Sequence, residues 1–131
     1  MDQGPLVSEW IEARAKLLPE FDKYAPLSVA FWLKDSDTGN WRLWLASPKI
    51  SSRNFDIAYS EIGRLTRQMT YPSLDSTQVH MARGREKEVK AILAELARRG
   101  GKHPFRLRQE MAHGVYFEEA YAYPSLVPVE A

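Results

Sequence analysis

The side chains in this sequence best suited to chemistry are cations: Arg83, Arg85, Lys87, Lys90, Arg98, Arg99, Lys102, Arg106 and Arg108, with His103 among them. Guanidinium and ammonium groups are what a nucleic-acid backbone requires, because each phosphate they neutralise releases a condensed counterion. Arg98, Arg99 and Lys102 gather where a helix is expected to end, and Arg106 and Arg108 share one face of the strand that follows. Together these five form a candidate surface for RNA or DNA. No helix-turn-helix, zinc-finger or aromatic RNA-recognition pattern accompanies them. Cations at a helix carboxyl end also complement its dipole, so a purely structural role competes with the functional one. A smaller anion site is suggested by Arg83, Gly84 and Arg85, which precede that helix where free amides can hold a phosphate; Glu86 and Glu88 oppose it.

Catalytic patterns are thinner. Asp35, Asp37 and Gly39 resemble the start of a calcium loop, but the glycine stands at position 5, and position 12 is Ala46 where such loops carry Glu. Asp, Gly and Asn are wanted there for turn formation alone. Glu88, Val89 and Lys90 spell the Glu-x-Lys of some metal-dependent nucleases, but on an expected helix and with no Asp suitably placed before it. His103 and His113 flank the strand bearing Arg106 and Arg108, with Tyr116 and Tyr121 close behind, so a metal-independent ribonuclease is conceivable, a His or Glu acting as base and Arg holding the phosphate. No catalytic residue, metal ligand or cofactor is assigned, and binding is expected ahead of catalysis. With no Cys, thiolate chemistry, disulfides and Cys-based metal sites are all excluded.

A second constellation is aromatic. Three of the four Trp, at positions 32, 41 and 44, fall within Ser28 to Ser47, where two apolar runs flank Asp35, Asp37, Gly39 and Asn40. That is the pattern of a β-hairpin. In the first run Val29, Phe31 and Leu33 oppose Ala30 and Trp32; in the second Trp41, Leu43 and Leu45 oppose Arg42, Trp44 and Ala46. A hairpin apolar on both faces belongs in the middle of a sheet and needs helices or a partner on each side. Should all three helices lie on one side, Trp32 and Trp44 would await a partner. With Tyr121 and Tyr123 they make the candidate protein interface.

The remaining elements position these groups. A first helix carries Trp10, Ile11, Leu17 and Leu18 on one side and ends or kinks at Pro19, with Phe21 in any last turn. A second runs from an Asn54 cap through Met69, with Ala58, Ile62 and Leu65 inward and Gly63 marking a close approach to the sheet. After a connection at 71–76, a strand from Thr77 to Ala82 turns Val79 and Met81 to the core and His80 away. The third helix, about Arg85 to Arg99, shows a stripe of Val89, Ile92, Leu93 and Leu96, with Glu86–Lys90 and Glu95–Arg99 pairs. Gly100 and Gly101 close it. Two last strands turn at His113-Gly114, with Phe105, Leu107 and Met111 inward on one and Val115, Phe117, Tyr121 and Tyr123 on the other. Glu119 interrupts the second, which predicts a bulge there or a partner for its carboxylate. The expected fold is one α+β domain over 1–131, in the order α-β-β-α-β-α-β-β: three helices on a mixed or antiparallel sheet of about five strands, with a loosely held tail from about residue 124.

Composition sets outer bounds. The chain of 131 residues is 44% hydrophobic and 27% charged, and no apolar run reaches a membrane span. Its first residues lack the basic then apolar start of a secretory signal, so a cytoplasmic location without membrane contact is expected. The formal charge of +1 is unevenly spread: −2 over residues 1–63, +7 over 64–108 and −4 over 109–131. These features favour an accessory protein that acts through a protein interface, with a homodimer pairing basic surface against acidic tail as one form. Binding of nucleic acid through residues 83–108 is the alternative, and the ribonuclease stands third.

Overall fold

The computed structural model describes residues 8–68 and 78–125. The Met69 end of the second helix, the connection at 71–76, the Thr77 start of the third strand and the tail beyond 125 lie outside them. Eight elements follow the expected order: α1 (Ser8–Tyr24), β1 (Val29–Lys34), β2 (Trp41–Ala46), α2 (Phe55–Gln68), β3 (Val79–Ala82), α3 (Lys87–Arg98), β4 (Phe105–Ala112) and β5 (Val115–Ala122). The strands form one sheet in the order β3-β2-β1-β5-β4. It is mixed: β2 and β3 run parallel, and every other pair is antiparallel.

The central hairpin is covered on both sides because the helices divide between them. Leu17, Leu18 and Phe21 of α1 and Ala58, Ile62 and Leu65 of α2 pack with Ala30, Trp32, Trp41, Leu43 and Leu45. Val89, Ile92 and Leu96 of α3 pack on the opposite face with Val29, Phe31, Ala46, Phe105 and Leu107. Alternation along each strand reads both faces correctly. The pairing register then decides which residues share a side: Trp32 lies opposite Leu43 and Phe31 opposite Trp44. Trp32 and Trp44 therefore point to different faces and not to the single face expected from the sequence.

Helix α1 continues through Pro19 to Tyr24. Pro19 and Ala15 are both exposed, so the Ala15 carbonyl that proline leaves unpaired meets water. Asp22 Oδ1 accepts the Leu27 N–H at 2.7 Å and fixes the turn into β1. A buried bridge ties α1 to the sheet: Trp32 Nε1 donates to the Tyr123 hydroxyl at 2.9 Å, which donates to the Ile11 carbonyl, also at 2.9 Å. In α2 the Asn54 carbonyl accepts the Ala58 N–H, but its side chain turns back to the preceding loop instead of capping the helix. A Cβ on Gly63 would meet only the Arg67 guanidinium, at 3.4 Å, so this glycine marks no close approach to the sheet. Tyr59 accepts the Met81 N–H at 3.0 Å and so blocks part of the β3 edge. In the first turn, Asp35 Oδ1 accepts the N–H groups of Asp37 and Thr38, the work of a turn carboxylate.

The β4–β5 hairpin departs most from the expected pattern. His113 and Gly114 both have positive φ, 49° and 81°, as a tight two-residue turn demands. Gln109 also has φ 49°, and the ladder passes from Arg108↔Glu119 to Glu110↔Phe117 around it. Register is unchanged across this break, so no one-sided bulge forms; both strands instead exchange the faces they present. Phe105 and Leu107 before it and Ala112, Val115 and Phe117 beyond it all join the α3 core. Met111, expected inward, is consequently 63% exposed. Glu119 also finds partners, Lys34 at 3.9 Å and Arg108 at 3.8 Å. At the other end of β5 the chain stays attached through residue 125: Tyr123 donates its N–H to Ala30 and Ser125 donates to Gly101.

Candidate anion-binding site

The one parallel pair in the sheet opens onto a concavity at its carboxyl end. Strands β2 and β3 end side by side at Ala46 and Ala82, and each chain then enters a loop that leads into a helix. Because α2 lies on one face and α3 on the other, the two loops separate and leave a crevice outside the carboxyl ends of the strands, the place where open α/β sheets hold ligands. It has two adjoining recesses. One, of about 410 Å³, is lined by Ser47, Pro48, Ile50, Ser51, Ser52, Arg83, Gly84 and Arg85. The other, of about 450 Å³, is lined by Phe55, His80, Arg83, Arg85 and Glu86. Arg83 and Arg85 belong to both.

The first loop is cross-braced. Asn54 Oδ1 accepts the Ser51 N–H at 2.8 Å and its Nδ2 donates to the Lys49 carbonyl at 2.9 Å. Ile50, 7% exposed, pins the loop into the core. Ser47 is 5% exposed, and its Oγ accepts the Lys49 N–H at 3.2 Å; its own proton has no acceptor among the described residues. In the second loop Glu86 Oε2 accepts the Arg83 N–H at 2.6 Å while Oε1 meets His80 Nε2 at 3.2 Å. The only carboxylate lining the crevice is thus already engaged, and the expected Glu86–Lys90 pair does not form. Trp44 backs the His80 ring, with centroids 4.1 Å apart. The Arg83 guanidinium lies 5.9 Å from the Phe55 ring centroid. Neither Arg83 nor Arg85 has a carboxylate partner among the described residues, and the same holds for Lys49, Arg53 and Lys87 beside them.

The five cations proposed from sequence are placed differently. Arg98 and Arg99 both bind Glu95, Arg98 through Nε at 3.0 Å and through its terminal nitrogen, Arg99 through Nε at 2.5 Å. His113 Nε2 from the hairpin tip reaches the same carboxylate at 3.0 Å. The Arg98 guanidinium, followed by Arg99 and His113, holds the Glu95 carboxyl down at about 2 against burial, which alone would raise it. Arg99 also covers the Phe105 ring at 4.6 Å, Arg106 covers Tyr121 at 5.2 Å, and Arg108 meets Glu119. Phe105 and Leu107 face α3, so Arg106 and Arg108 face the other way. The five straddle the β4 edge; only exposed Lys102 has no partner among the described residues. Of the groups a ribonuclease would draw on here, His113 and Arg108 serve two different carboxylates, Glu95 and Glu119.

No protein-family model, curated protein or solved structure matches this chain. The functional reading therefore rests on its own side chains. Of the expected interface residues, Trp32 is 1% and Tyr123 4% exposed, both inside the α1/α2 core. Tyr121 and Trp44 are half-buried on opposite faces. Sequence reading had singled out Arg83, Gly84 and Arg85 but not Ser47, Ser51, Ser52 or Phe55. Their only signal was a hydroxyl-rich loop directly after a strand. No group of three or more His, Asp or Glu able to hold a metal occurs among the described residues, and no helix there is long and apolar enough to cross a membrane.

Proposed function

We propose that this protein is a non-catalytic binding protein for a phosphate-bearing ligand, which it takes in the crevice outside the carboxyl ends of β2 and β3. One observation carries the reading: two adjoining recesses share a pair of guanidinium groups, those of Arg83 and Arg85, that no carboxylate among the described residues neutralises. Arginine is suited to this work because its planar fork donates two parallel hydrogen bonds to phosphate oxygens. Ser47, Ser51 and Ser52 supply hydroxyl donors on a loop held by Asn54. Both α2 and α3 begin at this end, and their dipoles add to the field, although Asp56 and Glu88 in their first turns reduce it. The reading retains the nucleic-acid alternative drawn from residues 83–108 but moves its centre from the third helix's end to its beginning.

Calorimetric titration with inorganic phosphate and pyrophosphate, at low and at near-physiological salt, tests this. The Arg83→Ala/Arg85→Ala variant is expected to bind at least about tenfold more weakly, since a hydrogen bond to a charged group contributes about 1.5–3 kcal/mol. Arg98→Glu/Arg99→Glu is expected to leave binding intact. If the first variant binds like the parent protein while the second does not, the crevice is the wrong site.

A further inference from the structure

We infer that the ligand of the crevice is a nucleotide unit, with its phosphate between Arg83, Arg85 and the serine loop and its base in the recess of Phe55 and His80. The inference rests on the anion-binding reading above and adds the identity of the group attached to the phosphate. Its ground is the unequal lining of two recesses that meet at the same arginines. The recess of about 410 Å³ offers hydroxyls and guanidinium groups, donors suited to phosphate oxygens, including the unused proton of the nearly buried Ser47. The recess of about 450 Å³ offers two rings, Phe55 and His80, with a carboxylate beside them. Aromatic faces bind bases of any sequence by stacking.

Three details fit a base better than a sugar or a second phosphate. Phe55 is only half-buried although it is aromatic and opens a helix. His80 is held by Trp44 on one side and by Glu86 through Nε2, so the ring is fixed in place before any ligand arrives. Glu86 meets His80 with one oxygen and the Arg83 N–H with the other, which leaves each oxygen a further lone pair for an exocyclic amino group, and its charge disfavours a further anion on that side. The shared arginines lie between hydroxyls and rings, which suits a ligand with a spacer between phosphate and ring, as ribose provides. Each recess falls within the ordinary range for small-ligand sites, about 300–1,000 Å³.

The test compares adenosine 5′-monophosphate, ribose 5-phosphate, phenyl phosphate and inorganic phosphate by calorimetry on the full chain. The nucleotide is expected to bind about tenfold tighter than ribose 5-phosphate or phenyl phosphate, a factor within the range of single base–aromatic stacks. Phe55→Ala is expected to abolish that advantage, so that nucleotide and ribose 5-phosphate bind this variant equally; Phe55→Leu, which keeps an apolar side chain there without an aromatic face, is expected to do the same. Equal binding of nucleotide and ribose 5-phosphate would overturn the inference and leave the anion-binding reading standing. Phenyl phosphate equal to the nucleotide would also overturn it, in favour of a phosphorylated aromatic side chain. No binding of any phosphate-bearing compound would remove both readings. A single-stranded trinucleotide binding tighter than the mononucleotide, with a steeper salt dependence, places the unit in a strand, and equal affinity places it in a free nucleotide. Either result upholds the base contact.

Discussion

Replacing Glu95 by Gln keeps the shape of the side chain and removes the charge that Arg98, Arg99 and His113 share. The carboxyl is 6% exposed and is held at about 2, against an ordinary value of 4.5. A difference of that size corresponds to about 3 kcal/mol by linkage. Arg98 and Arg99 are themselves 63% and 40% exposed, so solvent screens the attraction, and about 1–2 kcal/mol is the better figure. Because the folded value lies below the unfolded one, this stability is fully present above about pH 4.5. It fades as pH falls through about 2, where the folded carboxyl takes up its proton. Urea unfolding of the parent protein and Glu95→Gln at a series of pH values isolates the contribution, since all other carboxylates titrate in both. The midpoint of the variant should lie roughly 0.5–1 M lower at pH 7, at an ordinary slope for a domain of this size. The gap should shrink towards zero near pH 2. A gap that stays constant between pH 7 and pH 2 would refute the reasoning, because it would trace the loss to packing and not to charge.

Two other substitutions test the fold. Tyr123→Phe removes the hydroxyl between Trp32 and Ile11, leaving the buried Trp32 indole N–H without its acceptor, while the half-buried Ile11 carbonyl keeps its place in the α1 hydrogen-bond ladder; a loss of about 1–2 kcal/mol in urea unfolding is expected, and a loss below about 0.5 kcal/mol would mean water replaces it. Gly63→Ala meets only the flexible end of Arg67, so it should raise stability by about 0.5–1 kcal/mol and the melting temperature by about 3 °C; a fall would point to a hidden close contact.

How much of this was legible in the sequence depends on the range of the interaction. Both faces of the central hairpin follow from alternation at positions 29–33 and 41–46, and the inward side of α3 follows from Val89, Ile92 and Leu96. Local turn chemistry was equally readable at His113-Gly114 and at Gly100-Gly101, where φ is positive. The exchange of faces at Gln109 was not, because glutamine gives no sign that it will adopt φ 49°. Met111 was therefore assigned to the wrong side. Glu95 was read as one half of a surface pair with Arg99, whereas its burial and its contact with His113 depend on how the hairpin tip folds onto α3. The crevice was least visible of all. Ser47, Ser51 and Ser52 meet Arg83 and Arg85 only because β3 returns parallel to β2, and strand order cannot be read from the local pattern of one sequence.

Chemical-shift mapping of backbone amides during a phosphate titration reads directly where an anion sits on this protein. The crevice predicts shifts confined to residues 47–53 and 83–87, saturating with phosphate and absent in Arg83→Ala/Arg85→Ala. Shifts gathered instead at Arg98, Arg99, Lys102, Arg106 and Arg108, or none at any phosphate concentration, would contradict it.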